Sequence, residues 1–482
     1  MPAQRSLGLA TTTSIVIGNM VGSGVFLLPA SLAIYGIYSL WGWGFSTVGA
    51  LLLAWVFSSL SRRLSRAGGP YAYPREAFGD FAGFLIAWVY WISILAANAA
   101  IAVAFASYLT AYFPVLTREP IYGGLAAIAA LWILTGLNIW GVRAAGKMQL
   151  ITVILKLAPL LVLAVFGFFY FDPKLLESGH AAGSALSSVN AAAAFTMFAF
   201  LGLECATIPA AHVKNPEKTI PRATLLGTVI AAAFYIACTT VVMGLIPSAT
   251  LAKSTAPFAV AAALLWGSWG GYLIAATALI SCFGALNGWI LMQGQFPQAV
   301  ANDNLFPKFF ARESRRGTPA IGLVVSSVLG TLLILMNYSH GLVGMFNIIL
   351  LLDTFFVLVP YMFCAMAEIV LSRAQNRSLR APVRNIVLAC LAFAFALWAS
   401  AGTGEDSLYW GTLVILLGIP LYVWVKHRQK HTGTGPSPAR PADSDSIPGE
   451  TADLGAVNFN AVTGHQRPYA GGRPGKNQVT RQ

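Results

Sequence analysis

Gly18-Asn19-Met20-Val21-Gly22-Ser23-Gly24 interrupts an otherwise apolar run from 9 to 33, and Phe200-Leu201-Gly202-Leu203-Glu204 interrupts a second run from 189 to 212. Each run is long enough for a membrane-spanning helix, which needs about 20 mostly apolar residues. A single glycine inside such a helix often serves only close helix contact. Three glycines with Ser and Asn in seven residues predict an unwound stretch instead, because glycine costs a helix about 1 kcal/mol relative to alanine. Unwound backbone is tolerated at membrane depth only where it lines a cavity.

Working outward, the same criterion predicts twelve spans, at 9–33, 38–59, 82–113, 122–141, 148–171, 189–212, 222–247, 270–294, 319–337, 341–371, 384–401 and 408–426. Ala256–Trp266 is too short to span and reads as a short helix before span 8. The long uncharged run after Arg316 must be cut near Asn337–Gly341. The two interrupted spans are the first and sixth. They are five apart, as the first members of two inverted five-helix repeats would be, and matched interruptions in two halves point to a binding site at the bilayer midplane.

Composition agrees. The 482 residues are 57% hydrophobic and only 10% charged, whereas a soluble domain carries about 25% charge. A soluble enzyme, a disordered chain and a collagenous chain are all excluded. The net charge of +13 does not indicate nucleic acid, because the Lys and Arg residues sit in connections between apolar runs. With the N-terminus in the cytoplasm, inside connections hold eighteen of them and outside connections only Arg118, Lys174 and Lys253. Both termini are therefore expected in the cytoplasm, in a multi-pass protein of the cell inner membrane. The first apolar run has no A-x-A-like exit and reads as a span, not a cleaved leader. The five cysteines lie in apolar stretches without metal-ligand spacing and read as small buried packing residues. The expected division is a helical domain over 1–426 and a disordered cytoplasmic tail over 427–482, rich in Gly, Pro, Ser and charge.

The breaks suit a small zwitterion. A half-helix N-terminus offers free N–H groups to a carboxylate, which points to Ser23 and Gly24. Unwound carbonyls around Phe198, Ala199 and Leu201 can accept from an ammonium group.

The segments GNMVGSGVFLLPA, GGPYAYPREAFGDFAGF, FLGLECAT, VKNPEKTIPRAT, NGWILMQGQ and LVPYMF resemble, in order and spacing, the amino acid–polyamine–organocation transporters. The closer likeness is to the bacterial basic amino acid/polyamine antiporters of the arginine/agmatine type, over about residues 8–426. The resemblance implies an all-α membrane protein with the LeuT-like 5+5 inverted repeat, broken helices 1 and 6, alternating access and no bound cofactor or metal. It implies antiport of a cationic amino acid (arginine, lysine or ornithine) against its amine or a related amino acid, without sodium. The alternative is a proton-coupled permease of broader or neutral specificity. Expected partners are amino acid and amine substrates, protons and the lipid bilayer, with no nucleic acid; a homodimer is an open assembly state.

An ionisable residue within a span is a functional candidate, since inserting one costs about 2.5–3.5 kcal/mol or more. Glu204 matches an acidic residue of the antiporters and reads as a proton-sensitive switch or as a protonated cap on broken helix ends. Asp353 stands where the arginine antiporter carries a small hydroxyl residue beside the substrate's distal group. It could meet a cationic side chain, pair internally with Lys156, or carry a proton. Lys156 resembles the span-5 lysine of sodium-independent, proton-coupled members, as a proton carrier or as a charged strut between spans 5 and 1. By position, Trp289 matches a tryptophan that stacks on the guanidinium, and Asn98 a side chain at the substrate's distal end. Tyr90 and Tyr361 match gate aromatics, and Tyr71 a loop tyrosine tied to pH response. Phe198 replaces the central gate tryptophan, so strict arginine specificity is not implied. A sensor, a membrane-embedded enzyme and a channel are disfavoured: the chain shows no signalling domain, no HExxH or GxSxG motif and no repeated filter.

Overall fold

The computed structural model describes residues 8–22, 24–64, 69–140, 145–177, 184–207, 213–375 and 380–431. Among them every regular element is helical. The first are α1 (Leu9–Met20), α2 (Gly24–Leu32), α3 (Tyr38–Arg63), α4 (Ala72–Phe78), α5 (Asp80–Leu109) and α6 (Pro120–Trp140). Then come α7 (Ala145–Phe168), α8 (Lys174–Glu177), α9 (Ala185–Ala199), α10 (Pro216–Met243), α11 (Ser248–Leu251) and α12 (Pro257–Trp266). The last are α13 (Ser268–Asn302), α14 (Ala320–Asn337), α15 (Gly341–Gln375), α16 (Arg380–Ala401) and α17 (Glu405–His431).

A helix occupies each of the twelve expected stretches. By length and apolarity, nine helices among the described residues can cross a membrane, or ten when α1 and the segment after it count as one bent span. α14 and α15 count there as a single long apolar stretch. They are separated by a 3₁₀ turn at Tyr338–His340 followed by Gly341 at φ +71°, where the cut was expected. α12 is the expected short helix. Several helices outrun their apolar cores: α13 continues to Asn302 and α15 to Gln375, because polar helix formers extend a helix once it leaves the lipid. α17 runs to His431, and the expected tail beyond it lies outside the described residues.

Enclosure is graded. Of the most apolar window of α5, 89% is buried, against 33% for α16 and 17% for α17. α5 is thus the central post, and α13 and α15 pack along it. The peripheral place of α16 corrects one expectation: Cys390 on that helix is exposed, while Cys205, Cys238, Cys282 and Cys364 are buried. Its apolar surroundings in the sequence reflect lipid, not protein core. α3 and α9 approach so closely at Gly42 that a Cβ there would lie 2.6 Å from the Ala192 Cβ. That close contact anchors α9 immediately before its break.

Candidate functional site

The first break is built from backbone. α1 ends at Met20 and its capping residue Val21 leaves helical geometry with ψ 73°. The Gly22 N–H turns back to the Met20 carbonyl at 2.8 Å, and the chain resumes as α2 with a bend of 41° across the break. That turn deprives the Gly18 carbonyl of the i+4 donor it would have in a helix. Lys156 of α7 supplies the replacement: its Nζ donates to Gly18 O at 2.7 Å, and the side chain is only 4% exposed. The first N–H groups of α2, from Gly24, have by construction no helical partner. Ser23 lies outside the described residues.

The second break follows Ala199. Phe200 and Leu201 close two tight turns, with N–H bonds to Met197 and Phe198. Gly202 adopts φ +99°, a left-handed conformation open to glycine. A 3₁₀ turn then spans Leu203–Thr207. The two breaks meet: a Cβ on Gly202 would lie 3.3 Å from the Asn19 Cβ. Sequence separation alone could not place them face to face.

Glu204 sits at this junction, 1% exposed. Its carboxyl accepts from the Tyr90 hydroxyl at 2.6 Å and from the Tyr361 hydroxyl, which ties α5 and α15 to the broken helix. Tyr71 joins through rings. Phe296 packs edge-on against both Tyr90 and Tyr71, with centroids 5.1 and 5.7 Å away. Tyr71 in turn donates to Asp303 at 3.0 Å. Asp303 also accepts from Arg75 at 2.9 Å, Arg75 pairs with Asp80 at 3.0 Å, and Lys426 of α17 pairs with Asp80 at 2.9 Å. These pairs are 30–48% exposed, so each contributes about 1 kcal/mol or less. They are weak enough to part and re-form.

The other sequence-selected residues divide into two groups. Phe198 and Leu201 are buried at the second break, and Phe198 meets the Phe346 ring edge-on at 6.0 Å. Asn98, Trp289 and Asp353 are 1%, 6% and 0% exposed. The Asn98 amide nitrogen donates to Gln293 at 2.7 Å, and its oxygen has no hydrogen-bond partner among the described residues. Both carboxylate oxygens of Asp353 are likewise buried without a partner. Asp353 is absent from the four ion pairs among the described residues, and the Lys156 ammonium is spent on Gly18. The Lys156–Asp353 pair is therefore not formed in this conformation. With every one of these side chains at most 7% exposed, the conformation is closed around them.

Sequence reasoning missed Gln293, Ser327 and the Arg75–Asp303 pair. Gln293 stands four residues after Trp289 and so on the same helix face, a signal available in NGWILMQ. Ser327 carries none, since small hydroxyl residues are common in apolar helices. Among the described residues no group of three His, Cys, Asp or Glu side chains is arranged to hold a metal.

The family model described as "Amino acid permease" matches residues 7–419. The chain is 33% identical over 443 residues to the cadaverine/lysine antiporter of Escherichia coli K12, covering 90% of this chain and 98% of that protein. It is 34% identical over 427 residues to the putrescine transporter PotE of the same organism, covering 88% and 97%. The putrescine transporter PotE of Haemophilus influenzae is 31% identical over 426 residues, covering 88% and 98%.

Proposed function

The chain belongs to the amino acid permease family, whose members are membrane transporters and not enzymes, and within it we propose a secondary antiporter that exchanges a cationic amino acid for a diamine or a related amino acid. The observation that carries this reading is the presence of buried acceptors in two of the candidate residues: both oxygens of Asp353 and one of Asn98, none with a donor among the described residues. A buried carboxylate is costly unless a positive group meets it. A lysine, ornithine or arginine side chain, or the far end of a diamine, brings that group. The named activities of the relatives, lysine, cadaverine and putrescine transport, lie in the same chemical class.

The substrate's α-carboxylate is assigned to Ser23 and the N–H groups that open α2 at Gly24, and its α-ammonium to the carbonyls of Ala199 and Leu201. Trp289 lies under the distal cation. Phe198 closes the pocket against Phe346. The Glu204–Tyr90–Tyr361 cluster and the chain through Phe296 to Tyr71 and Asp303 form the gate, which opens when the exposed ion pairs part. Twelve spans in two inverted repeats of five, plus two, with both termini in the cytoplasm, complete the reading. It is supported by the placement of the breaks and by the excess of Lys and Arg in alternate connections.

Exchange is expected to need no sodium, because the Lys156 ammonium already serves the broken helix where a cation would otherwise do so. In proteoliposomes preloaded with lysine or cadaverine, uptake of labelled lysine should be unchanged when choline replaces sodium on both sides. Collapse in choline would overturn the sodium-free mechanism. Uptake into empty vesicles, driven by an imposed pH gradient alone, would favour the second reading, a proton-coupled permease. The apolar Phe198–Phe346 lid, which has no indole N–H to select a partner, is the feature that favours it.

Trp289→Ala should raise the apparent KM for cationic substrates several-fold, a cation–π contact being worth about 0.5–2 kcal/mol. Because Trp289 is buried, melting should fall as well, so KM is compared on quantified reconstituted protein. An unaltered KM for lysine and arginine would remove Trp289 from the site.

A further inference from the structure

Gln293 lies one helical turn beyond Trp289 and does not line the site in the reading above. Its side-chain amide is nevertheless held at both ends. The nitrogen donates to Ser327 Oγ at 2.8 Å and to the Leu323 carbonyl at 3.4 Å. The oxygen accepts from the Asn98 amide nitrogen at 2.7 Å. Ser327 Oγ lies 2.7 Å from the Thr135 hydroxyl, which donates to the Leu131 carbonyl at 2.7 Å.

The ladder runs in one direction, set by its backbone acceptors. A backbone carbonyl can only accept. The Thr135 hydroxyl donates to the Leu131 carbonyl, so at the contact between the two hydroxyls Ser327 is the donor. Ser327 is then an acceptor, and Leu323 O is an acceptor by nature. Both require the nitrogen of Gln293 to face them, so its oxygen faces Asn98. Asn98, 1% exposed, is left with its NH2 turned toward Gln293 and its oxygen turned away, without a partner among the described residues. An asparagine alone could present either end. Here the choice is made on α13, α14 and α6.

We infer that Gln293 is a positioning residue for substrate selection: through this ladder it locks Asn98 with its oxygen toward the substrate, so that Asn98 and Asp353 together offer only acceptors to the substrate's distal end. This rests on the reading of the site as one for cationic substrates. An ammonium, which carries three donors and no acceptor, satisfies such a lining. A neutral side chain leaves buried acceptors unpaired, at the full cost of their desolvation. Ser326 stiffens the same place, accepting from the Trp91 indole at 3.0 Å and donating to the Gln293 carbonyl at 3.2 Å.

The test compares KM for labelled lysine and leucine in proteoliposomes containing wild-type protein, Gln293→Met, Gln293→Glu or Ser327→Ala, with reconstituted protein quantified. Gln293→Met keeps the bulk and frees the Asn98 amide to turn, and should cut the lysine-over-leucine preference roughly three- to tenfold. Ser327→Ala should cut it less, since Leu323 O still holds the nitrogen. Gln293→Glu, as the neutral acid, keeps an acceptor for Asn98 and one O–H donor for Leu323 O or Ser327, and should retain the preference. A lysine-selective wild type with an equally selective Gln293→Met overturns the assignment of Gln293 alone. A wild type indifferent between lysine and leucine overturns the cationic-site reading itself. Should Gln293→Met fail to reconstitute, Ser327→Ala and Gln293→Glu still decide: equal preference lost in both, or kept in Ser327→Ala and lost in Gln293→Glu, contradicts the ladder.

Discussion

Asp353→Asn is expected to raise the KM for lysine, ornithine and arginine roughly ten- to a hundredfold while changing leucine by about twofold or less. The substitution keeps the shape of the side chain and removes its charge. A hydrogen bond to a charged group is worth about 1.5–3 kcal/mol, and one factor of ten corresponds to about 1.4 kcal/mol. The geometry makes the contrast sharp, because both carboxylate oxygens are fully buried and neither has a protein donor among the described residues. Were Asp353 instead a structural partner of Lys156, the substitution would hurt every substrate alike. The position of Lys156 at the Gly18 carbonyl speaks against that. Exchange of lysine and of leucine by wild type and Asp353→Asn, each at two pH values, separates the cases. Equal loss for both substrates would remove Asp353 from the substrate site, and a change confined to pH dependence would make it a proton carrier.

Lys156→Met is expected to lower exchange of every substrate by at least tenfold and to lower thermal stability as well. The reason is local. The Gly22 N–H is committed to Met20 O, and among the described residues the ammonium, 2.7 Å away, supplies the Gly18 carbonyl with its donor. Removing that donor leaves a buried carbonyl unsatisfied, at about 1–3 kcal/mol, in the segment that shapes the α2 N-terminus. Initial rates of exchange and melting of the purified protein in detergent should therefore fall together. Retained melting with loss of transport and a flattened pH profile would assign Lys156 to proton transfer and not to support of the break.

Lys156, Glu204 and Asp353 stood out in the sequence because an ionisable group in an apolar run needs a reason. The helix breaks stood out because glycine acts locally. What each ionisable residue meets was not legible. Glu204 is bonded to Tyr90 and Tyr361, which are 114 and 157 residues away. The position-matched aromatics are legible only through the family likeness, and a mid-span amide such as Gln293 has no fixed meaning until its neighbours are known.

Hydropathy, glycine density and the charge of the connections are properties of short segments, and short segments decide whether a helix forms, where it stops and whether it suits lipid. For that reason the residues alone determined an all-helical membrane chain with two interrupted helices. The direction of the Asn98 amide is of another kind. It depends on Gln293, 195 residues away, on Ser327 beyond it and on a carbonyl of α6. Hydrogen-bond direction passes through space from one fixed acceptor to the next. Only the packing of α5, α6, α13 and α14 could decide which atom of Asn98 is bonded to Gln293 and which is left without a partner among the described residues.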